Sequence, residues 1–320
     1  MATHLSVLQR KRGMIKAFSG TFLAAIVVFT TPLLAAGAGF TVVPMLQEVI
    51  LDDGKEFEIY EASVSNETNA LATFEVSVID FGSLDESGGI AFLGATGEFE
   101  RKYALASWMQ PETSELTLQP GEKRSVKVRI ENRESLSPGG HYGALIFKNV
   151  GAPKEGAPSI AINQIFASLV FVKKTGGAKY GLELVSVEHA IRWFSFSPAV
   201  TPRFKNPGNV HVVPRGEVRI IDPIGRPVYR GVINEGSAIM LPETFREYPF
   251  KLFPLKKSLI PGFYTLRLDY RYDGKEAVET WSQRQIFVPP LVALPLCLII
   301  AGLALFFWRR ISRKPRGESV

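Results

Sequence analysis

The sequence predicts an all-β protein that lies between two apolar end segments. Across residues 39–288, short stretches of alternating apolar and polar residues are separated by turns rich in glycine and proline. No amphipathic pattern long enough to form a helix competes with them in this region. Alternating short strands separated by such turns are typical of antiparallel β-sandwiches.

The first group of predicted strands shows the period of two that half-buried strands require. Within 125–130, the residues Val126, Val128 and Ile130 face one side, and the Ser, Lys and Arg residues between them face the other. A longer apolar stretch, 159–174, is predicted to be a central or closing strand. The predicted strands are 40–43, 56–64, 71–78, 114–118, 125–130, 141–148 and 159–174.

A domain boundary is predicted near 173–179, where charge and glycine interrupt the apolar pattern. The strand pattern then restarts and gives a module of roughly 110 residues, the usual size of a seven-stranded immunoglobulin-like sandwich. The sequence therefore predicts two tandem immunoglobulin-like β-sandwich domains, 39–175 and 176–288. The strands predicted in the second are 181–187, 200–206, 216–221, 227–233, 244–252, 262–272 and 276–288.

The N-terminal end has the pattern of a secretory signal. Basic residues precede the apolar run 17–36, and the small residues Ala36-Gly37-Ala38 close it. This order favours a signal peptide, 1–38, that is cleaved on export. A retained N-terminal anchor is the alternative, because the apolar run is long enough to span a bilayer.

The C-terminal end predicts one transmembrane helix. Residues 289–308 carry no charge, and at helical rise they cover about 30 Å, the thickness of a hydrocarbon core. The tail 309–320 is basic, and positive residues stay on the cytoplasmic side. A single-pass protein of the cell membrane is therefore predicted, with a cytoplasmic C-terminus and with its N-terminal domains extracellular or periplasmic. The residues that set this topology are Arg309, Arg310, Arg313, Lys314 and Arg316.

The charge balance argues against nucleic acid as a partner. The chain has a net charge of +6, but nine of its 37 basic residues and only one of its 31 acidic residues lie in the two end segments. The predicted domains are therefore slightly acidic, whereas nucleic-acid binding requires a concentrated basic face. The single cysteine, Cys297, lies in the predicted helix, so the domains rest on their hydrophobic cores and not on disulfides.

The sequence predicts no catalysis, no cofactor and no metal. His141, His189 and His211 are far apart along the chain and lack the spacing of metal ligands. No nucleophile elbow, phosphate-binding glycine loop or zinc-protease motif occurs. A binding or structural role is therefore favoured over an enzymatic one.

Trp108, His141 and Tyr142 are the candidates for ligand binding. Trp108 lies in a predicted connection between sheets, where an aromatic face can stack on a sugar ring. His141 and Tyr142 follow the turn Pro138-Gly139-Gly140. The alternative for all three is structural: Trp108 fills the core of the sandwich, and the other two pack or hydrogen-bond at the end of a strand.

Short motifs of glycine, proline and aromatic residues recur along the chain. They are Phe40-Thr41-Val42-Val43-Pro44, Val78-Ile79-Asp80-Phe81, Ala106-Ser107-Trp108, Leu118-Gln119-Pro120-Gly121, Pro138-Gly139-Gly140-His141-Tyr142-Gly143-Ala144, Asn206-Pro207-Gly208-Asn209-Val210-His211 and Pro214-Arg215-Gly216. With the signal, two sandwiches, anchor and tail, they make the chain resemble bacterial surface proteins with a peptidoglycan-binding domain that accompany WxL cell-wall proteins. The resemblance implies that the first domain contacts peptidoglycan and the second another surface protein.

Two functions follow from these observations. The main prediction is a non-catalytic, membrane-anchored protein that binds peptidoglycan or another envelope component and scaffolds a surface partner. The alternative is a chaperone-like assembly factor for surface or pilus subunits. Exported sandwiches with a Leu-x-Pro-Gly turn resemble pilus-chaperone domains, which donate a strand to an unpaired edge. An open, long, apolar edge strand is the feature that distinguishes the second function.

Overall fold

A computed structural model describes residues 39–52, 54–92, 101–150, 164–192 and 195–312. These residues are mostly β-sheet and end in one apolar helix, as the sequence predicts. The predicted signal peptide, 1–38, lies outside the described residues. The strands form four sheets, two in the N-terminal half and two in the C-terminal half.

The N-terminal half contains two sheets. Its strands are β1 (Phe40–Val43), β2 (Leu46–Leu51), β3 (Phe57–Asn66), β4 (Ala72–Ser83), β5 (Ile90–Phe92), β6 (Met109–Pro111), β7 (Glu115–Leu118), β8 (Lys123–Glu131), β9 (Gly139–Asn149) and β10 (Ile165–Lys174). One sheet has the order β1-β3-β8-β6, and the other has the order β2-β10-β9-β4-β5, with β7 paired to β4. Two 3₁₀ helices, Arg101–Tyr103 and Ala106–Trp108, precede β6 in the chain.

The chain changes sheets between β1 and β2. The change occurs at Val43–Pro44, whose peptide bond is cis. Before it, β1 pairs antiparallel with β3; after it, β2 pairs parallel with β10, from Leu46 opposite Leu169 to Leu51 opposite Lys174. Since this ladder begins at Leu169, β2 covers only the second part of β10.

The C-terminal half also contains two sheets, followed by the helix. Its strands are β11 (Glu183–Arg192), β12 (Ser195–Lys205), β13 (Arg215–Ile221), β14 (Pro227–Ile233), β15 (Phe245–Glu247), β16 (Phe250–Lys251), β17 (Phe253–Pro254), β18 (Gly262–Tyr272) and β19 (Lys275–Phe287). The sheet orders are β11-β12-β15, with β16 on β12, and β17-β14-β13-β18-β19. Helix α1 spans Pro290–Ser312.

Each half encloses its own hydrophobic core. Phe74 and Phe147 are fully buried in the N-terminal core, and Phe204 and Leu268 in the C-terminal core. In most strands only every second side chain is buried, which is the pattern of a sheet with one solvated face. Strand β9 differs, because its first seven residues are all buried. A second layer of protein therefore covers the outer face of this strand.

Most of the predicted strands are confirmed, and three of them, 40–43, 227–233 and 262–272, have the predicted bounds. The stretch predicted at 159–174 is a strand from Ile165 onward, and 159–163 lies outside the described residues. The strand predicted at 244–252 is broken into β15 and β16 by Tyr248 and Pro249, since a proline has no N–H for the ladder. Strand β2 was not predicted, because its polar Gln47 and Glu48 interrupt the alternation.

We expect Leu145→Ala to lower the free energy of unfolding by about 2–5 kcal/mol, because this side chain on β9 is fully buried in the N-terminal core. Leu71→Ala is the matched control, since Leu71 is exposed, and should cost no more than about 0.5 kcal/mol. Urea unfolding of the full chain in detergent measures both. Equal losses in the two variants would contradict the assignment of this core.

Candidate functional site

The two halves meet along the outer face of β9. Tyr142 lies on this face with 1% of its surface exposed, and its ring packs against Phe81, Phe171 and His211 at centroid distances of 5.9, 5.5 and 5.6 Å. His211 comes from the C-terminal half, as does the partly buried Leu241 that packs on the same cluster. The contact explains why β9 is buried on both faces.

A chain of hydrogen bonds runs through this contact. The Nδ1 of His211 lies 3.2 Å from the hydroxyl of Tyr142, and its Nε2 lies 3.0 Å from a carboxylate oxygen of Glu48 on β2. Every group is satisfied when Tyr142 donates to Nδ1 and Nε2 donates to Glu48. Lys173 approaches the other oxygen of Glu48 at 3.0 Å. The hydrogen bond from His211, followed by Lys173, lowers the pKa of Glu48 to about 2.

The turn that precedes β9 makes this approach sterically feasible. The N–H of Gly140 donates to the carbonyl oxygen of Asn209 at 2.8 Å. A Cβ on Gly139, which has φ +125°, would lie 2.6 Å from that same oxygen. Glycine is required where φ is positive and another backbone lies so close. The Pro-Gly-Gly motif therefore serves the junction between the halves, in addition to beginning a strand.

Two ion pairs and a backbone hydrogen bond hold the halves together elsewhere. Both oxygens of Glu86 accept from the guanidinium of Arg203, at 2.6 and 2.7 Å, and the carbonyl of Glu86 accepts from the N–H of Glu247. The hydrogen bond from Arg203 lowers the pKa of Glu86. Lys102 pairs with Glu243 at 2.6 Å. These side chains are largely solvated, so the ion pairs add little to stability.

A cleft of about 340 Å³ lies between the halves. Leu46, Phe81 and Phe171 are among the residues that line it from the N-terminal half, and Leu241 and Arg246 are among those from the C-terminal half. Leu46 is the first residue of β2. The cleft is therefore continuous with the region where β2 begins to pair with β10.

His141 and Trp108 lie at one corner of the N-terminal half. His141 is buried, with Nε2 2.8 Å from the carbonyl oxygen of Ser137 and Nδ1 3.2 Å from that of Ala104. Burial lowers the pKa of His141, and a neutral ring donates to only one of these two carbonyl oxygens. Trp108 is partly buried against the core, 6.5 Å from the ring of His141. The structure thus shows packing and backbone hydrogen bonds for these residues, and their role in ligand binding stays a prediction.

In the described part of the chain, the first residues of β10 have no strand on the side away from β9. Gln164 directs its carbonyl towards β9, where it accepts from Asn149, and Leu169 directs its N–H to the other side, where Met45 accepts it. Because backbone direction alternates along a strand, Ile165 and Ala167 also direct their N–H and C=O groups away from β9. In the residues that the structure describes, no strand pairs with these groups.

The side chains around this open edge are apolar. Ile165 is 60% exposed and Met45 is 77% exposed, and the adjoining Val43 and Leu46 are exposed as well. Edges of this kind are usually protected by charge, proline or a covering segment. The sequence did not identify this surface, because it arises where β1, β2 and β10 meet and none of these segments is unusual alone. Among the described residues, no group of three or more His, Cys, Asp or Glu is arranged to hold a metal ion.

No protein-family model matches the chain, and no curated protein matches it. Solved structures similar to it include a chain of the chaperone–tip adhesin complex of CFA/I fimbriae, with 12% identity, 79% of this chain and 100% of that chain covered, and a TM-score of 0.41. The class 5 fimbriae chaperone CfaA is 12% identical, with 78% of this chain and 100% of CfaA covered and a TM-score of 0.40. The Escherichia coli chaperone DraB is 11% identical, with 77% of this chain and 97% of DraB covered and a TM-score of 0.36.

These comparisons contradict the main functional prediction, a binder of peptidoglycan that scaffolds a surface partner. The three structures named above come from fimbrial chaperones or their complexes, and none is a peptidoglycan-binding protein of the cell wall. The alternative prediction was a chaperone-like assembly factor. At identities near 12% and TM-scores near 0.4, what these chaperones bind is not carried over to this chain, so the alternative has to rest on its geometry.

We expect Glu48→Gln to reduce the acid sensitivity of the fold. The pKa of Glu48 lies below its ordinary value of 4.5, so its stabilising effect is present above that value and is lost as the pH falls from about 4.5 to about 2. The unfolding free energy of the variant should therefore change less over this range than that of the original chain. Urea unfolding at a series of pH values measures the difference.

Glu61→Gln is the control for this prediction, because Glu61 is an exposed carboxylate on β3. Its pH profile should follow that of the unsubstituted chain. If both variants gave the same profile, Glu48 would not be coupled to the junction between the halves.

Proposed function

We propose that this chain is a membrane-anchored, chaperone-like assembly factor for surface or pilus subunits. It consists of two tandem immunoglobulin-like sandwich domains, 39–175 and 176–288, on the outer side of the cell membrane. The subunit binds at the open edge of β10 by adding a strand to it. The proposal assigns no catalytic step, cofactor or metal.

The open edge of β10 carries this proposal. An added strand forms main-chain hydrogen bonds with the edge, and alternate side chains supply the specificity. The outward N–H and C=O groups of Ile165 and Ala167 are available for these main-chain hydrogen bonds. The exposed side chains of Ile165 and Met45 supply an apolar surface that the side chains of the added strand can contact. A subunit with an unpaired edge strand or an incomplete core fits this surface.

The contact between the two halves supports the proposal because it fixes the orientation of the edge. The strand ladders of the N-terminal half end at Lys174 and those of the C-terminal half start at Glu183, and each half has its own core. The halves are joined through Tyr142, His211 and Glu48. A subunit on β10 therefore meets a rigid platform that includes the start of the cleft.

Helix α1 supports the anchor. Its most apolar stretch of 18 residues has a mean hydropathy of 2.6, and none of that stretch is buried in the protein. The 23 residues of the helix cover about 34 Å at helical rise, which is enough to cross a hydrocarbon core. Arg309 and Arg310 lie in its last turn, which favours a cytoplasmic C-terminus. The other basic residues of the tail, Arg313, Lys314 and Arg316, lie outside the described residues.

We expect Ile165→Lys to weaken binding of the subunit at least about tenfold, since burial of an isoleucine side chain contributes about 1.5–3 kcal/mol and an edge lysine opposes strand addition. The full chain is solubilised in detergent from cells that express it, and the exported proteins that co-purify are quantified by mass spectrometry. A photoreactive residue at position 165 identifies which of them touches the edge.

Val185→Lys is the matched control, because Val185 is also an exposed β-branched residue on an edge strand, β11, of another sheet. It should retain the subunit. Equal retention by both variants, or equal loss, would refute strand addition at β10.

A further inference from the structure

One end of the C-terminal half is tied closely to helix α1. Strand β19 ends at Phe287 and α1 begins at Pro290, so only two residues connect them. Two extended residues span about 7 Å. When α1 crosses the bilayer, this end of the C-terminal half therefore lies at the outer lipid surface, with no linker that could lift it away.

Four exposed apolar side chains lie at this same end. Phe263, 61% exposed, is opposite Ile286 in the ladder between β18 and β19, next to the last residue of β19. Ile224 follows Pro223, whose ring would lie 2.9 Å from a Cβ placed on Gly262 at the start of β18. The other two, Leu255 and Leu259, belong to the loop between β17 and β18. Single exposed apolar residues are ordinary, whereas a group at one end marks a contact surface.

The loop between β17 and β18 is held in place by polar contacts. The hydroxyl of Tyr264 lies 2.9 Å from the carbonyl of Ile260 and 3.0 Å from the hydroxyl of Ser258, which in turn lies 3.3 Å from a carboxylate oxygen of Asp222. The N–H of Leu255 donates to the carbonyl of Val228, at the start of β14. The loop therefore presents its exposed side chains in a fixed conformation.

Two lysines lie between the apolar side chains of this loop. Lys256 and Lys257 are both exposed, and neither forms an ion pair within the described part of the chain. They stand between Leu255 and Leu259. Apolar side chains beside unpaired cations are the composition of surfaces that lie in the interfacial layer of an anionic bilayer.

A cavity opens among these residues and reaches the helix. It has a volume of about 420 Å³, which lies within the range of ligand pockets of roughly 300–1,000 Å³. Its walls include Val228, Phe287 and Leu291 of α1, and both lysines lie at its lining. Since α1 contributes a wall, the cavity faces the layer where acyl chains meet their headgroups.

We propose that this end of the C-terminal half docks on the outer surface of the bilayer and binds an anionic phospholipid. The side chains of Ile224, Leu255, Leu259 and Phe263 enter the interfacial layer. Lys256 and Lys257 contact lipid phosphates, and the cavity takes part of an acyl chain. The inference rests on the proposed membrane anchor, and it adds a second contact with the membrane that fixes how the body of the protein stands on it.

Depth-dependent quenching tests this inference on the full chain. In a Cys297→Ala background, Leu259→Cys carries a fluorescent label, and the protein is reconstituted in vesicles of phosphatidylglycerol that contain lipids with a quencher near the headgroup. We expect the label at position 259 to lose fluorescence. Leu71→Cys is the matched control, because Leu71 is about as exposed to solvent as Leu259. Its label should keep its fluorescence, because it lies on the other half of the protein.

A third label separates failure of the inference from failure of the anchor. Leu298→Cys lies within α1 and should be quenched by lipids that carry the quencher deep in the acyl chain. Quenching at 298 with none at 259 would overturn the docking but leave the anchor in place. No quenching at either position would overturn both. If the fluorescence of the label at 259 depended on the amount of protein per vesicle and not on the amount of quencher lipid, the label would be in contact with a second copy of the protein. This result would also overturn the docking.

The lysines are tested by charge reversal. In phosphatidylglycerol, quenching of the label at position 259 should be much weaker in the double variant Lys256→Glu with Lys257→Glu than in the original chain. In phosphatidylcholine the difference between the two proteins should be much smaller. Its thermal unfolding should match that of the unsubstituted chain, because both side chains are exposed and unpaired in the described structure. Equal quenching of the variant and the original chain in phosphatidylglycerol would refute the contact of Lys256 and Lys257 with lipid phosphates.

Discussion

The burial of β9 on both faces is the constraint on which the rest of the structure depends. Its inner face carries Leu145 and Phe147 into the N-terminal core, and its outer face carries Tyr142 against His211 of the C-terminal half. A strand fixed on both faces can neither tilt nor slide without opening one of them. Because β10 pairs with β9 along its whole length, the open edge of β10 has a fixed position relative to the C-terminal half.

The change of sheet between β1 and β2 determines which part of β10 is open. A continuous first strand would remain with β3, whereas this chain crosses at Pro44 and pairs with β10 only from Leu169 onward. The crossing therefore closes the second part of the outer edge and leaves Ile165 and Ala167 without a strand partner on the side away from β9, among the described residues. The same crossing exposes Val43 and Met45, so the open backbone and the apolar side chains have one structural origin.

The sequence predicted local structure well and long-range contacts poorly. Segments such as 125–130 have a period of two because one face is solvated, so their strands could be predicted from the residues alone. His141 and Tyr142 were candidates for ligand binding because polar aromatic residues follow a glycine turn. In the structure the hydroxyl of Tyr142 is satisfied by His211, 69 residues away, and His211 is satisfied by Glu48, which lies 163 residues before it in the sequence. No local pattern records such partners, and a single sequence carries no other signal for them.

One end of the C-terminal half contacts the N-terminal half, and the other end is the proposed membrane contact. The strands between them set the distance that separates the two ends. Strand β13 begins at Arg215, close to His211 and the junction with the N-terminal half, and ends at Ile221, beside the loop that contains Ile224. Strand β18 runs in the opposite direction between the same two ends. Seven residues of extended chain cover about 20 Å. In the proposed arrangement this end lies at the lipid surface and the N-terminal half lies on the far side of the C-terminal half. A subunit would then reach the edge of β10 without displacing lipid.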